Sequence, residues 1–249
     1  MTRQGNADRP EIRPESDYSG VENLEVMADA ANYNRFLIEL VTANSRAGDR
    51  VIDFGAGAGT FAAPLAAAGM DVTCVEPDDG LRVVLESKGL PAVPRLDALG
   101  PETVDYVYTL NVLEHIEDDV SVLRELGRVL RPGGRLLVYV PAFQVLFTSM
   151  DHRVGHHRRY RLADLVRKIE RSGFEVIEAR YADSLGFGAA LLYRIMDRGE
   201  GSVSPRGLKL FDRYAFPLSR GLDRLVGRYF GKNVLVVAVK TGGDDFPED

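Results

Sequence analysis

The stretch VIDFGAGAGTFAAPLA, Val51 to Ala66, sets an acid, Asp53, two residues ahead of three alternating glycines, Gly55, Gly57 and Gly59. Val51 and Ile52 read as the end of a buried parallel strand, and Thr60 onward has helical character, so the glycines make the tight turn between them. Glycine in such a turn lets the main chain approach a ligand closely. Glu76 follows Gly55 by 21 residues and stands at the end of the next apolar run, before Pro77. A carboxylate at that place accepts hydrogen bonds from both hydroxyls of a ribose. The chemistry implied is the binding of an adenosyl cofactor.

The glycine spacing separates two cofactor classes. Dinucleotide enzymes use G-x-G-x-x-G, whereas here the third glycine is Gly59 and the sixth position is Thr60. With Asp53 ahead of it, the loop resembles the D-x-G-x-G-x-G loop of class I S-adenosylmethionine-dependent methyltransferases. Two later segments resemble the same family: VDYVYTLNVLEHI, Val104 to Ile116, and RPGGRLLVYVPA, Arg131 to Ala142. The resemblance covers Tyr33 to about Tyr181, and NVLVVAVK, Asn233 to Lys240, would close the sheet. It implies S-adenosyl-L-methionine held by Asp53, Gly55, Ala56, Gly57, Glu76 and Pro77, with Asp97 and Ala98 at the adenine and Asn111 and Val112 beside the methionine part. His115 joins this set as a group near the methyl, against a structural role at a helix start. Tyr33 either closes over the cofactor or is a buried aromatic of its helix. A NAD-dependent oxidoreductase and a non-catalytic S-adenosylmethionine-binding module are the competing readings.

The segment from Pro141 to Leu165 starts at the carboxyl end of a strand, where ligands of open α/β sheets bind. It carries Asp151, His152, Arg153, His156, His157, Arg158, Arg159 and Tyr160. This D-x-x-x-G-H-x-R-R-Y loop resembles that of a bacterial small-molecule methyltransferase subgroup that also has Val140-Pro141-Ala142 and Asn32-Tyr33-Asn34. Paired arginines present planar donors to a carboxylate or phosphate, and an imidazole can take a hydroxyl's proton near neutral pH. His156 and His157 are therefore the candidate catalytic groups, and Arg158, Arg159, Tyr160 and Phe143 the candidate acceptor contacts. The alternative is that the arginines pair with carboxylates of the protein and Tyr160 packs on the sheet. Val154 and Gly155 mark a loop rather than a helix that would align His152 and His156, and no CxxC or HExxH frame is present, so no metal is expected. Transfer would be a direct displacement on an already activated sulfonium methyl, which needs alignment rather than a covalent intermediate.

These groups need a scaffold, and 249 residues with 45% hydrophobic content can bury one core. Strands alternating with helical stretches predict a Rossmann-like α/β fold: seven strands, mostly parallel, helices on both faces, the last strand antiparallel. Residues 1–20 read as a flexible tail, 21–241 as the methyltransferase domain and 242–249 as an acidic tail. About fifty residues, 182–232, stand where the family has a short connection, and should be helical; a substrate lid and a homodimer contact are its two readings. A net charge of −6 with dispersed Lys and Arg gives no footprint for nucleic acid. The turn Asn111-Val112-Leu113-Glu114 departs from the N-P-P-Y and D-P-P-Y turns of base methylation. The longest apolar run, Leu185 to Tyr193, falls short of the roughly 20 residues of a membrane span, and Cys74 alone allows no disulfide framework. The expectation is a cytoplasmic enzyme with a small-molecule acceptor, anionic or amphiphilic.

Overall fold

The computed structural model describes residues 30–196 and 204–242, so the expected N-terminal tail and all but Gly242 of the acidic tail lie outside the described residues. Strands β1 (Arg50–Phe54), β2 (Asp71–Val75), β3 (Ala92–Val93), β4 (Val104–Leu110), β5 (Leu130–Pro141), β6 (Phe174–Ala182) and β7 (Asn233–Lys240) form one sheet in the order β3-β2-β1-β4-β5-β7-β6. Pairing is parallel from β3 to β5, and β7 runs antiparallel between β5 and β6. This is the Rossmann-like sheet that the sequence predicts.

A strand buried on both faces needs apolar side chains at every position. β4 supplies them at five of its seven buried positions, with Tyr106, Tyr108 and Leu110 on one face and Val104 and Val107 on the other, and carries Asp105 and Thr109 besides. The first face packs on Tyr33, Phe36, Leu37 and Val41 of α1 (Ala31–Asn44); the second packs on Leu123 and Leu126 of α4 (Asp119–Val129). Helices α2 (Ala62–Ala67) and α3 (Asp79–Ser87) follow β1 and β2, and α6 (Leu162–Arg171) precedes β6. Asp118 caps α4 by accepting from Ser121 N–H at 3.0 Å. That helix ends at Val129, ahead of Pro132, Gly133 and Gly134. The three residues lie inside β5, where the register slips between Leu130 and Arg135.

Two segments depart from a plain loop. After β5 the chain makes a 3-10 turn at Gln144–Leu146 and a short helix, α5 (Ser149–Arg153). Thr148 and Asp151 form its capping box, the Thr148 N–H donating to Asp151 Oδ2 at 2.9 Å, so Asp151 and His152 stand on a helix rather than on the loop expected there. Between β6 and β7 lie α7 (Ser184–Met196), α8 (Pro205–Leu210), a π-helical turn at Phe211–Ala215 and α9 (Phe216–Val226). Buried carboxylates fasten this unit to the domain. Asp212 accepts the Asn32 and Tyr33 N–H groups at 3.0 and 2.9 Å, at the start of α1. Asp223 accepts those of Asp183 and Ser184, each at 2.8 Å, at the start of α7. Both use a carboxylate against the unpaired N–H groups and positive dipole end of a helix.

Candidate active site

The carboxyl ends of β1, β2 and β4 meet at the glycine loop. Gly55 N–H donates to Val75 O at 2.9 Å, and Gly55 has a positive φ of 80° with the Val112 side chain packed where a Cβ would stand. Gly57, at φ 54°, has open space on that side, so a ligand can approach the main chain there. Beneath it lies buried Glu76, whose Oε2 accepts the Gly57 N–H at 2.8 Å and whose Oε1 accepts the Asp78 N–H at 3.0 Å. Ala56 is buried beside the loop, while Pro77 is exposed just beyond Glu76. Asp53 is buried with Oδ2 unpartnered among the described residues. Burial pushes its carboxyl up to about 7, Tyr108 beside it offsets part of the rise, and the Glu76 charge adds to it. An open glycine turn over a buried acid pair fits an adenosyl group.

Around that turn, Asn111 takes a positive φ of 56° and donates its N–H to Tyr139 O at 2.7 Å, which turns the chain out of β4 beside Val112. Asp97 and Ala98 form an exposed 3-10 turn after β3, with Asp97 3.3 Å from Arg95. Tyr33 is a buried aromatic, packed edge-on against Tyr139 and Phe216. Its hydroxyl lies beside Asn111, and burial raises its pKa further above the ordinary phenol value. Of the two readings of Tyr33, core packing is the one its ring follows.

Three of the four expected acceptor contacts are already engaged within the protein. Arg158 pairs with Asp119 at 3.0 Å and donates to Glu117 O at 2.7 Å. Arg159 grips Asp151 through Nε and Nη2 at 2.8 and 2.9 Å. Tyr160 is buried, its hydroxyl donating to Asp119 Oδ2 at 2.8 Å. These arginines and Tyr160 therefore follow the structural alternative, and only Arg159 Nη1 stays buried and unpartnered among the described residues. Phe143 turns outward from β5 at φ 59° and stacks on Tyr181, with Phe187 of α7 edge-on to it at 5.5 Å.

The histidines divide. His157 is exposed and only its N–H, donating to Glu114 O at 2.8 Å, serves the site. His156 is half-buried, with Nδ1 2.6 Å from Asp151 Oδ1 and Nε2 3.8 Å from Glu114 Oε1. Burial works against the Asp151 charge, but the hydrogen bonds from His156 and Arg159 outweigh it and hold that carboxyl well below the usual range. His115 lies edge to face with His156, ring centroids 4.6 Å apart, and burial lowers its pKa to about 4. Glu114 is wholly buried with both oxygens unpartnered among the described residues, and burial raises it to about 8. Sequence reasoning passed over Glu114; the signal available was an acid in an otherwise apolar turn, next to His115.

Comparison with known proteins decides the class. A family model for a methyltransferase domain matches residues 28–179. The chain belongs to this methyltransferase family. It is an S-adenosylmethionine-dependent methyltransferase, with S-adenosyl-L-methionine as the methyl donor. Relatives include the ubiquinone biosynthesis O-methyltransferase of Aliivibrio fischeri, 25% identical over 202 residues, 70% of this chain and 86% of that one. That of Azorhizobium caulinodans is 30% identical over 153 residues, 53% and 60% of the two chains. A methyltransferase structure from Archaeoglobus fulgidus superposes with a TM-score of 0.61 at 15% identity, covering 90% of this chain and all of that one. The phosphoethanolamine N-methyltransferase 2 of Haemonchus contortus, in complex with S-adenosyl-L-methionine, gives 0.57 at 18% identity, covering 92% and 58%. Among the described residues no helix is long and apolar enough to cross a membrane.

Proposed function

We propose that this methyltransferase transfers the methyl group to a hydroxyl oxygen of a small, amphiphilic and anionic acceptor. The observation that carries this reading is the set of polar groups left over once the loop has satisfied itself: Glu114, the Nε2 of His156 and Arg159 Nη1, gathered just beyond β4. A buried polar atom without a partner is rare and marks a place for a ligand. Arg159 Nη1 suits an anionic oxygen of the acceptor, and the Glu114, His115 and His156 cluster is where the hydroxyl loses its proton. Asp151 fixes the His156 ring so that Nε2 faces that point. Phe143, Tyr181 and Phe187 offer an apolar wall alongside, which suits an acceptor with a hydrocarbon part. The A. fischeri and A. caulinodans relatives, named as O-methyltransferases of ubiquinone biosynthesis, support oxygen as the atom methylated.

The protein's own residues then have two tasks. They hold donor and acceptor in line, which supplies much of the acceleration of a displacement whose leaving group is already activated, and they manage one proton. The bacterial subgroup with the G-H-x-R-R-Y loop, and a cytoplasmic setting with reduced Cys74, belong to the same reading. The test is incubation with labelled S-adenosylmethionine and a matched panel: hydroxybenzoates and catechols with and without alkyl tails, and the corresponding amines. A methyl ether formed on tailed phenols supports the reading; methylated amines alone overturn it.

A further inference from the structure

Three groups beyond β4 form a constellation with a chemistry of its own. Glu114, His115 and His156 each bring one donor atom within 4.8 Å of the other two. Glu114 is fully buried, and neither of its oxygens has a hydrogen-bond partner among the described residues, although one lies 3.8 Å from His156 Nε2. A buried carboxylate is retained where something binds it. Both imidazoles are oriented from behind. His156 Nδ1 meets Asp151 at 2.6 Å, and the His115 ring is held by the main chain of Val154 and Gly155. Carboxylate and main-chain partners of this kind aim a histidine's other nitrogen at a metal.

We propose that Glu114, His115 and His156 bind one divalent transition-metal ion of the zinc class. Two imidazoles and one carboxylate favour such an ion over magnesium or calcium, which prefer oxygen donors. Zinc bonds of roughly 2.0–2.2 Å set tetrahedral ligands about 3.4 Å apart, so the Glu114–His156 pair needs to close by only a few tenths of an ångström. Charge agrees. The Arg159 guanidinium is already gripped by Asp151, and a dication would give Glu114 the counter-charge that no described residue dedicates to it. His152 and His157, which the sequence pattern groups with His156, are exposed and stand outside the cluster. The set is invisible as a spacing because it joins residues 114 and 115 to residue 156.

Three protein ligands leave a fourth position open. Resting on the methyl-transfer reading, that position takes the acceptor hydroxyl. The ion lowers the hydroxyl's pKa and its proton passes to solvent. The oxygen lone pair then forms the new bond to the methyl carbon as the C–S bond breaks, its electron pair staying on sulfur to give S-adenosylhomocysteine. His156 acts here as a ligand rather than as a base.

The experiment is titration of chelator-stripped protein with Zn²⁺ by calorimetry and with Co²⁺ by visible absorption, for wild type, Glu114→Gln, His115→Ala and His152→Ala. One ion per chain is expected, with affinity at least about 100-fold weaker in the first two variants and unchanged in His152→Ala. No binding by wild type, equal binding by Glu114→Gln and His115→Ala, or loss in His152→Ala overturns the site. Zinc K-edge absorption of the wild type keeps the test independent of variant folding: two imidazoles and a carboxylate support the site, and any other set refutes it. S-adenosylhomocysteine titration of the same stripped sample separates the claims. Retained cofactor binding without zinc binding removes the ion and leaves the methyltransferase site. Zinc binding without cofactor binding does the reverse.

Discussion

Replacing Arg159 by alanine tests whether the arginine pair of the acceptor loop holds structure or substrate. Arg159 meets Asp151 through two hydrogen bonds, at 2.8 and 2.9 Å, and the Asp151 side chain is only 1% exposed. Removing one partner of a buried pair costs roughly 3–5 kcal/mol, because the other charge stays buried without compensation. Asp151 keeps the Thr148 N–H and His156, so the low end applies, about 3 kcal/mol. In a domain of this size that lowers the midpoint by roughly 6–12 °C. The pH dependence has a definite sign. The Asp151 carboxyl is held below its ordinary 3.8, so the stability it contributes is complete above about pH 4 and is lost as pH falls through its lower folded value. The deficit of Arg159→Ala, measured by urea unfolding, should be flat between pH 5 and 8 and shrink below pH 4. A deficit under about 1 kcal/mol at pH 7, with methylation nevertheless abolished, would refute the structural assignment and return Arg159 to the acceptor alone.

Three further outcomes follow from the same geometry. Glu76→Ala should weaken S-adenosylhomocysteine binding by about 100-fold or more, since two charge-assisted hydrogen bonds are worth roughly 3 kcal/mol together, and Gly57→Val should do the same by forcing a branched residue to φ 54°. Calorimetry with S-adenosylmethionine, S-adenosylhomocysteine and NAD reads both, and unchanged affinity in either variant sinks the loop assignment. Asp53 has its carboxyl raised to about 7, so the wild type should lose more stability than Asp53→Asn as pH rises from about 4 to 7, the gap above pH 7 approaching about 4 kcal/mol; parallel curves by thermal unfolding would remove that burial argument. Tyr160→Phe should cost about 1–2 kcal/mol with cofactor affinity intact, because Asp119 keeps Lys168 and Arg158; a cofactor affinity that falls with it contradicts the buried packing role.

Local features were legible in the chain and long-range pairings were not. The buried run of β4, the glycine turn and the place of Glu76 at the end of β2 depend on neighbours in sequence, and each lies where the local pattern puts it. The cap of α5 was also local, Thr148 and Asp151 being three residues apart, but the Val154-Gly155 signal was allowed to describe the whole segment as a loop. By contrast, Arg158 finds Asp119 and His156 faces Glu114 across gaps of about forty residues, and Asp212 caps α1 from 180 residues away. Composition shows that acids and bases are present in similar numbers; only the fold says which of them meet.

That difference explains why a run so dense in charge pairs largely within the protein. Exposed arginines seek ligands, but an arginine brought against a buried acid is drawn to it, because leaving that acid without a partner is the larger cost. Asp119 and Asp151 each sit at the start of a helix and are desolvated by the sheet, so they claim Arg158, Lys168, Arg159 and Tyr160. Once those claims are met, the polar capacity still unspent lies with Glu114, the facing imidazoles of His115 and His156, and Arg159 Nη1. On the proposed reading, the chemistry of the acceptor site is carried by what this pairing leaves behind. On that reading Glu114, a residue in an apolar turn, has more to do there than the conspicuous Arg158, which is already paired.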